Sequence, residues 1–263
     1  MRPFFFGETA EPLLGLHHPP AGARTRPSAV AILNPFGDEY SRAHRSLRQL
    51  ADRVSAAGFH VLRFDYFGCG DSAGADDQGR LARWLEDAAA ALEELEALSG
   101  ASRMALVGLR LGGSLAVELA RRRQGIEQLA LWDPVARGQV YLQELEAAHA
   151  TFLRENARRA RAVESEPPQV LGYPLPPALR AEIEAVDLTG CASPPARHTL
   201  LLTTGSDQRT TVFPAGPPPG GSLERERMAG SAAWQRDTDA MASALVAVDA
   251  LERITRWLDR RCP

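Results

Sequence analysis

Met104-Ala105-Leu106-Val107-Gly108-Leu109-Arg110-Leu111-Gly112-Gly113 is the stretch on which the fold turns. Met104 to Gly108 reads as a buried strand, and a helix is expected from about Gly112 to Arg122. Glycines at 108 and 112 permit a tight, strained turn between the two. Such a turn lifts the side chain at its centre above the carboxyl end of a sheet, where chemistry is usually placed. Here that side chain is Arg110.

Working outward, short apolar runs alternate with long helical patterns. Ala29 to Leu33 is a buried strand ending at Asn34-Pro35-Phe36-Gly37, and a helix is expected over Arg42 to Ala57. His60 to Tyr66 is the next strand, closed by the glycine-rich run Phe67 to Gly74, and Arg80 to Leu98 repeats Leu and Ala at helical spacing. Strands follow at Gln128 to Trp132 and His198 to Thr203, with a last helix over Asp239 to Arg260. Two opening strands, Pro3 to Gly7 and Leu13 to His17, suggest a hairpin. The alternation predicts an α/β fold with a mostly parallel central sheet and helices on both faces.

The rhythm breaks between Gly138 and Pro195, an Arg- and Glu-rich helical stretch followed by Pro-rich loops, which reads as a helical cap insertion. The expected division is a core over 1–136, a cap over 137–196 and a second part of the core over 197–263. Thr210 to Gly230, with Pro217-Pro218-Pro219-Gly220-Gly221, reads as a mobile surface loop.

Thirty basic against thirty-three acidic residues leave a net charge of -3, so no global field draws the chain to nucleic acid or an anionic membrane. The expected partner is a small molecule. All the basic residues are arginines, which excludes lysine-based chemistry. Cys69, Cys191 and Cys262 are odd in number and lack metal-site spacing, so neither a disulfide framework nor a metal is expected, and no cofactor. The first residues are too short an apolar run for a signal peptide, and no run approaches 18 apolar residues; a cytoplasmic protein without membrane insertion is expected.

The strand-turn-helix at Gly108 to Gly112 is the setting of a Gly-x-Ser-x-Gly nucleophile elbow, with arginine replacing the serine. A guanidinium stays protonated and offers only donors, so Arg110 can bind an anion or close an ion pair but neither attack a carbonyl nor act as a base. Desolvating it unpaired costs on the order of several kcal/mol. Asp133 and Asp207, each closing a strand, are the expected partners. The N–H of Leu111 at the new helix and a donor from the Phe36-Gly37 turn would form an oxyanion or anion site. Ser114 lies one turn into the helix and reads as a packing residue more readily than as a displaced nucleophile.

Three segments resemble the α/β-hydrolase superfamily: Leu33 to Tyr40, Phe64-Asp65-Tyr66-Phe67-Gly68-Cys69-Gly70-Asp71-Ser72, and the elbow itself. The second is similar to that superfamily's Asp-x-Arg-Gly-x-Gly-x-Ser loop. More narrowly, these segments and Leu131-Trp132-Asp133-Pro134-Val135 resemble the serine aminopeptidase-like proteins named exosortase A system-associated hydrolase 2. The resemblance implies the α/β-hydrolase fold, a nominal hydrolase of ester, acyl or thioester substrates, and an association with exopolysaccharide production. It also implies a triad acid at Asp207 and a histidine near Ala233 to Asp237. No histidine follows His198.

Of the six histidines, His44 at the pocket rim and His149 in the cap are the candidates for a functional role. Cys69 could substitute as nucleophile if Arg110 and a nearby helix terminus lowered its pKa; otherwise it fills a tight loop. With neither serine nor late histidine in place, Ser-His-Asp catalysis is not expected. The alternatives are a non-hydrolytic or inactive pocket binding a carboxylate- or phosphate-bearing ligand, or a scaffold in a biosynthetic assembly.

Overall fold

The computed structural model describes residues 1–21, 24–156, 168–204, 212–228, 234 and 247–261. Its centre is built from strands whose residues are buried on both faces: β3 (Ser28–Leu33), β5 (Arg103–Leu109), β6 (Ile126–Trp132) and β9 (His198–Thr204). Strands covered on both sides must be apolar at nearly every position, which is why these segments read as continuous apolar runs. With β1 (Arg2–Phe6), β2 (Leu13–His18), β4 (His60–Phe64) and β10 (Ser222–Met228) they form a sheet in the order β1-β2-β4-β3-β5-β6-β9-β10. The β1-β2 and β2-β4 pairs are antiparallel, and the others are parallel.

Alternate residues of each strand feed different cores. Val30, Ile32, Val107 and Trp132 face α1 (Asp38–Ala56) and the C-terminal helix over Val248–Arg261, through Leu47, Leu50, Ile254 and Trp257. Ala31, Leu33, Leu106 and Leu131 face α2 (Leu81–Ser99) and α3 (Leu111–Arg122). Between β6 and β9 lie α4 (Gly138–Glu155), the short hairpin β7 (Gln169–Val170) and β8 (Tyr173–Pro174), and α5 (Pro177–Glu184); the C-terminal helix is α6. This helical cap joins the second core through Tyr141, Leu145, Leu179 and Ile183. Among the described residues no helix is long and apolar enough to cross a membrane.

After β3 the chain moves outward to β4, and after β5 it moves the other way to β6. The connections therefore part between β3 and β5, and open α/β sheets form their binding crevice at such a switch point, beyond the carboxyl ends of the strands. Asn34 to Gly37 and Arg110 stand at that place.

Two expectations are corrected. The helix after β3 begins at Asp38, four residues before Arg42, because its N-cap is Gly37 rather than a Ser, Thr, Asp or Asn that would announce it. The supposed loop over Thr210 to Gly230 contains β10, paired in parallel with β9. β10 alternates charge instead of hydrophobicity. Glu224 accepts hydrogen bonds from Trp257 Nε1 at 2.9 Å and Arg261 Nη2 at 2.7 Å, and Glu226 pairs with Arg253, so α6 holds the edge strand by ion pairs. The expected last helix is described from Val248; its earlier residues lie outside the described ones.

Candidate functional site

The turn after β5 has the elbow geometry that the glycines predict. Arg110 sits at φ 51° and ψ -120°, a conformation that costs a non-glycine residue on the order of 1–3 kcal/mol. Three backbone hydrogen bonds hold it there: Arg110 N–H to Trp132 O at 3.0 Å, Gly113 N–H to Arg110 O at 2.9 Å, and Val135 N–H to Arg110 O at 3.2 Å. A Cβ on Gly112 would lie 2.3 Å from Leu33 O, and one on Gly108 would lie 2.5 Å from Gly112 O. The α3 terminus is pressed onto the end of β3, and only glycine fits there.

Arg110 meets carboxylates other than the two expected. Its Nε donates to Glu39 Oε1 at 2.9 Å and its Nη2 to Glu144 Oε2 at 2.8 Å. Glu39 is buried in the first turn of α1 and also accepts the Tyr141 hydroxyl at 2.8 Å, whereas the Glu144 side chain, on α4, is 54% exposed. Burial works against the charge on Arg110, but Glu39, Tyr141 and Glu144 outweigh it and raise its pKa. Burial pushes the Glu39 carboxyl up, opposed by Arg110 and by the Tyr141 hydroxyl. One cation thus faces two acids, and the guanidinium needs no external anion.

Two rings complete the enclosure. The guanidinium carbon lies 5.1 Å from the Tyr141 ring centroid and 5.6 Å from that of Trp234, within cation–π range. Trp234 also packs edge-on against Trp132 at 5.7 Å. It comes from the segment in which the resemblance places a triad histidine. An indole over a guanidinium therefore stands where an imidazole beside a serine would be expected.

Asp133 closes β6 at φ 42° and is engaged by β9: it accepts the Thr204 N–H at 2.8 Å and the Thr204 hydroxyl. Burial, countered by those bonds and by Arg110, raises its pKa to about 6. Asp207 lies outside the described residues. Ser114 is buried, and its hydroxyl donates to Val135 O at 2.7 Å. Leu111 opens α3 at the expected position.

The remaining expected residues lie elsewhere. Phe36, Gly37 and Cys69 line a pocket of about 280 Å³ between the β3-α1 turn, the glycine loop after β4 and the hairpin residues Gly172 to Pro174. Arg110, Leu111, Asp133 and His44 do not line it. The Cys69 thiol is pushed up to about 12 by burial and then by Asp65, Asp87 and Asp76, which corrects the expectation of an activated thiolate. His44 is exposed, with its ring edge-on to Tyr40 at 5.9 Å. His149 Nδ1 accepts the Leu171 N–H at 3.1 Å, a bond that fixes the hairpin turn. No group of described His, Cys, Asp and Glu residues could hold a metal ion.

Sequence reasoning missed Glu39, Glu144, Tyr141 and Trp234. Asp38 and Glu39 are the usable signal, since paired acids favour a helix N-terminus and place Glu39 in the first turn of the helix after β3.

Residues 27–193 match the family described as Serine aminopeptidase, S33. No curated protein matches in sequence. Among solved structures, proline iminopeptidase from Mycobacterium smegmatis is similar at TM-score 0.62 and 15% identity, over 99% of this chain and 97% of the other. An α/β serine hydrolase without lid from Xanthomonas campestris gives 0.61 and 14%, over 100% and 95%. Est1E from Butyrivibrio proteoclasticus, solved with ferulic acid bound, gives 0.59 and 15%, over 98% and 97%. Such likeness speaks for the fold, while the family match spans well over half the chain: the protein is a member of the serine aminopeptidase S33 family with the α/β-hydrolase fold.

Proposed function

We propose that this member of a hydrolase family has left Ser-His-Asp chemistry and serves as a small-molecule binding protein, its elbow turned into a structural ion pair. The observation that carries this reading is the pairing of Arg110 with both Glu39 and Glu144 between the rings of Tyr141 and Trp234. Among the described residues no attacking group replaces the serine: Ser114 is bonded to Val135 O, and Cys69 is held protonated. Removing one member of a triad already leaves only the weak catalysis of binding and oxyanion donors. The narrower resemblance to exosortase-associated proteins would place the binding function near exopolysaccharide production.

A carboxylate- or phosphate-bearing ligand would reach Arg110 only by displacing Glu144, the exposed partner. Thermal stabilisation by acyl phosphates or carboxylates that vanishes in Arg110→Met would establish that mode. A fluorophosphonate probe tests the main reading. No labelling is expected; robust labelling lost in Ser114→Ala would overturn it.

Asp133 supports a second reading. Its pKa of about 6 suits a general base beside the elbow, where it could activate water against an ester, acyl or thioester carbonyl, with the N–H groups of Leu111 and Phe36 receiving the oxyanion. Turnover of p-nitrophenyl or thioester substrates that rises through pH 6 and is lost in Asp133→Asn would favour it over the first.

A further inference from the structure

Arg63 on β4 is 2% exposed, and its Nε and Nη1 have no hydrogen-bond partner among the described residues. Its Nη2 meets the Sδ of Met1 at 3.8 Å. Burial lowers the pKa of the guanidinium, opposed by Tyr40, Asp65 and Asp52 nearby. A buried cation ordinarily ends on a carboxylate or on several oxygens, because its lost hydration must be replaced. Here the acceptor in contact is a thioether, one of the weakest that a side chain offers.

Strand register explains how Met1 reaches this cation. Leu16 of β2 stands opposite both Pro3 of β1 and Arg63 of β4, so the three residues share one face of the sheet. Met1, two residues before Pro3, belongs to that face, and its side chain crosses β2 to the guanidinium. Met1 is 57% exposed, whereas Met104 and Met228 are 1% and 5% exposed. An oxidant arriving from solvent therefore meets the sulfur of Met1 before those two.

Oxidation changes the acceptor in kind. Hydrogen peroxide transfers one oxygen atom: its O–O bond breaks, an S–O bond forms, the sulfur gives up two electrons, and the peroxide leaves as water. Sulfoxides usually damage a fold, because a polar group enters an apolar site. At Met1 the new oxygen instead arises beside a donor that lacks one. Set on a sulfur 3.8 Å from Nη2 and turned toward it, that oxygen enters the roughly 2.7–3.2 Å range of an N–H···O bond. A hydrogen bond from a charged donor is among the stronger ones.

We infer that Met1 is an oxidation site whose sulfoxide is received by Arg63, so that peroxide fastens β1 across β2 to β4 instead of loosening it. The inference uses no residue of the elbow or of the pocket, and it stands apart from the binding reading above.

The test uses the full chain carrying Met241→Leu, which removes the one methionine outside the described residues. It is treated with hydrogen peroxide and followed by peptide mass spectrometry and thermal unfolding. The Met1 peptide is expected to gain one oxygen at least tenfold faster than the peptides holding Met104 and Met228. The melting temperature is expected to rise by about 2 °C with that oxygen and to return when methionine sulfoxide reductase removes it. In Arg63→Leu, which fills the site with an apolar side chain, the same oxidation should bring no rise. Should that variant fail to fold, amide exchange in the parent chain decides, since the amides of Arg2 to Phe6 should exchange several-fold more slowly after oxidation. Met1 oxidising no faster than the buried methionines, a melting temperature unchanged or lowered by its oxidation, an equal rise in Arg63→Leu, or unchanged amide exchange would each overturn the proposal.

Discussion

The elbow and the pocket beside it lie at the same carboxyl edge of the sheet, yet they are finished in opposite ways. At the elbow the described charged groups answer one another: Arg110 by Glu39 and Glu144, Glu39 also by Tyr141, Asp133 by Thr204. In the pocket wall the buried Asn34 keeps an amide oxygen with no partner among the described residues. The charged cluster is closed on itself, while the pocket beside it is an open cavity of about 280 Å³. The place where this family keeps its chemistry is the closed one.

The contrast breaks first at Glu39. Glu39→Ala leaves Arg110 enclosed with only the half-exposed Glu144 and strands the Tyr141 hydroxyl, so a loss of about 3–5 kcal/mol in urea unfolding is expected. Arg110→Met combined with Glu39→Gln removes both charges and keeps an acceptor for Tyr141. That double variant should be more stable than Glu39→Ala; additive losses would mean that the pair is not a unit.

The next largest effect compares two glycines. Gly112→Ala forces a Cβ to 2.3 Å from Leu33 O and should cost about 3 kcal/mol, whereas Gly172 at the pocket wall has nothing within 4 Å. Gly172→Ala meets only its positive φ of 89°, at about 1 kcal/mol. Similar melting points for the two would contradict the difference in packing.

Asp133 gives a pH signature of the closed site. The folded protein holds its proton up to about pH 6 while the unfolded chain releases it near 4, so the folded state binds more protons across that window. The contribution of Asp133 is therefore present in acid and lost as pH rises from about 4 to about 6, on the order of 2 kcal/mol. The stability difference between wild type and Asp133→Asn, followed by denaturation at several pH values, should decline in that direction; a flat difference would place the carboxyl in solvent. Smallest is Glu144→Ala: a pair with one exposed partner should contribute at most about 1 kcal/mol.

Much of the fold is legible in the sequence because buried parallel strands must be apolar along their whole length, as Ala29 to Leu33 and Leu129 to Trp132 are. β10 was not legible, since its residues are held by ion pairs to α6 and carry no hydrophobic alternation. At the site, the strained turn and the need of Arg110 for a carboxylate follow from residue chemistry alone. Its partner did not, because Gly37 hides the start of α1 and a side chain as long as arginine reaches sideways to a neighbouring helix. Trp234 was hidden for another reason: its segment is placed by resemblance to catalytic relatives, which suggests a base and not a ring.

The Arg110–Glu39 pair also constrains how the elbow can change. A single Arg110→Ser substitution would put a hydroxyl at the elbow but leave Glu39 buried with only the Tyr141 hydroxyl against its charge. On the proposed reading, a hydroxyl at 110 would therefore call for a matching change at Glu39. The elbow acts as a ratchet, and relatives that keep the arginine are expected to keep the glutamate with it.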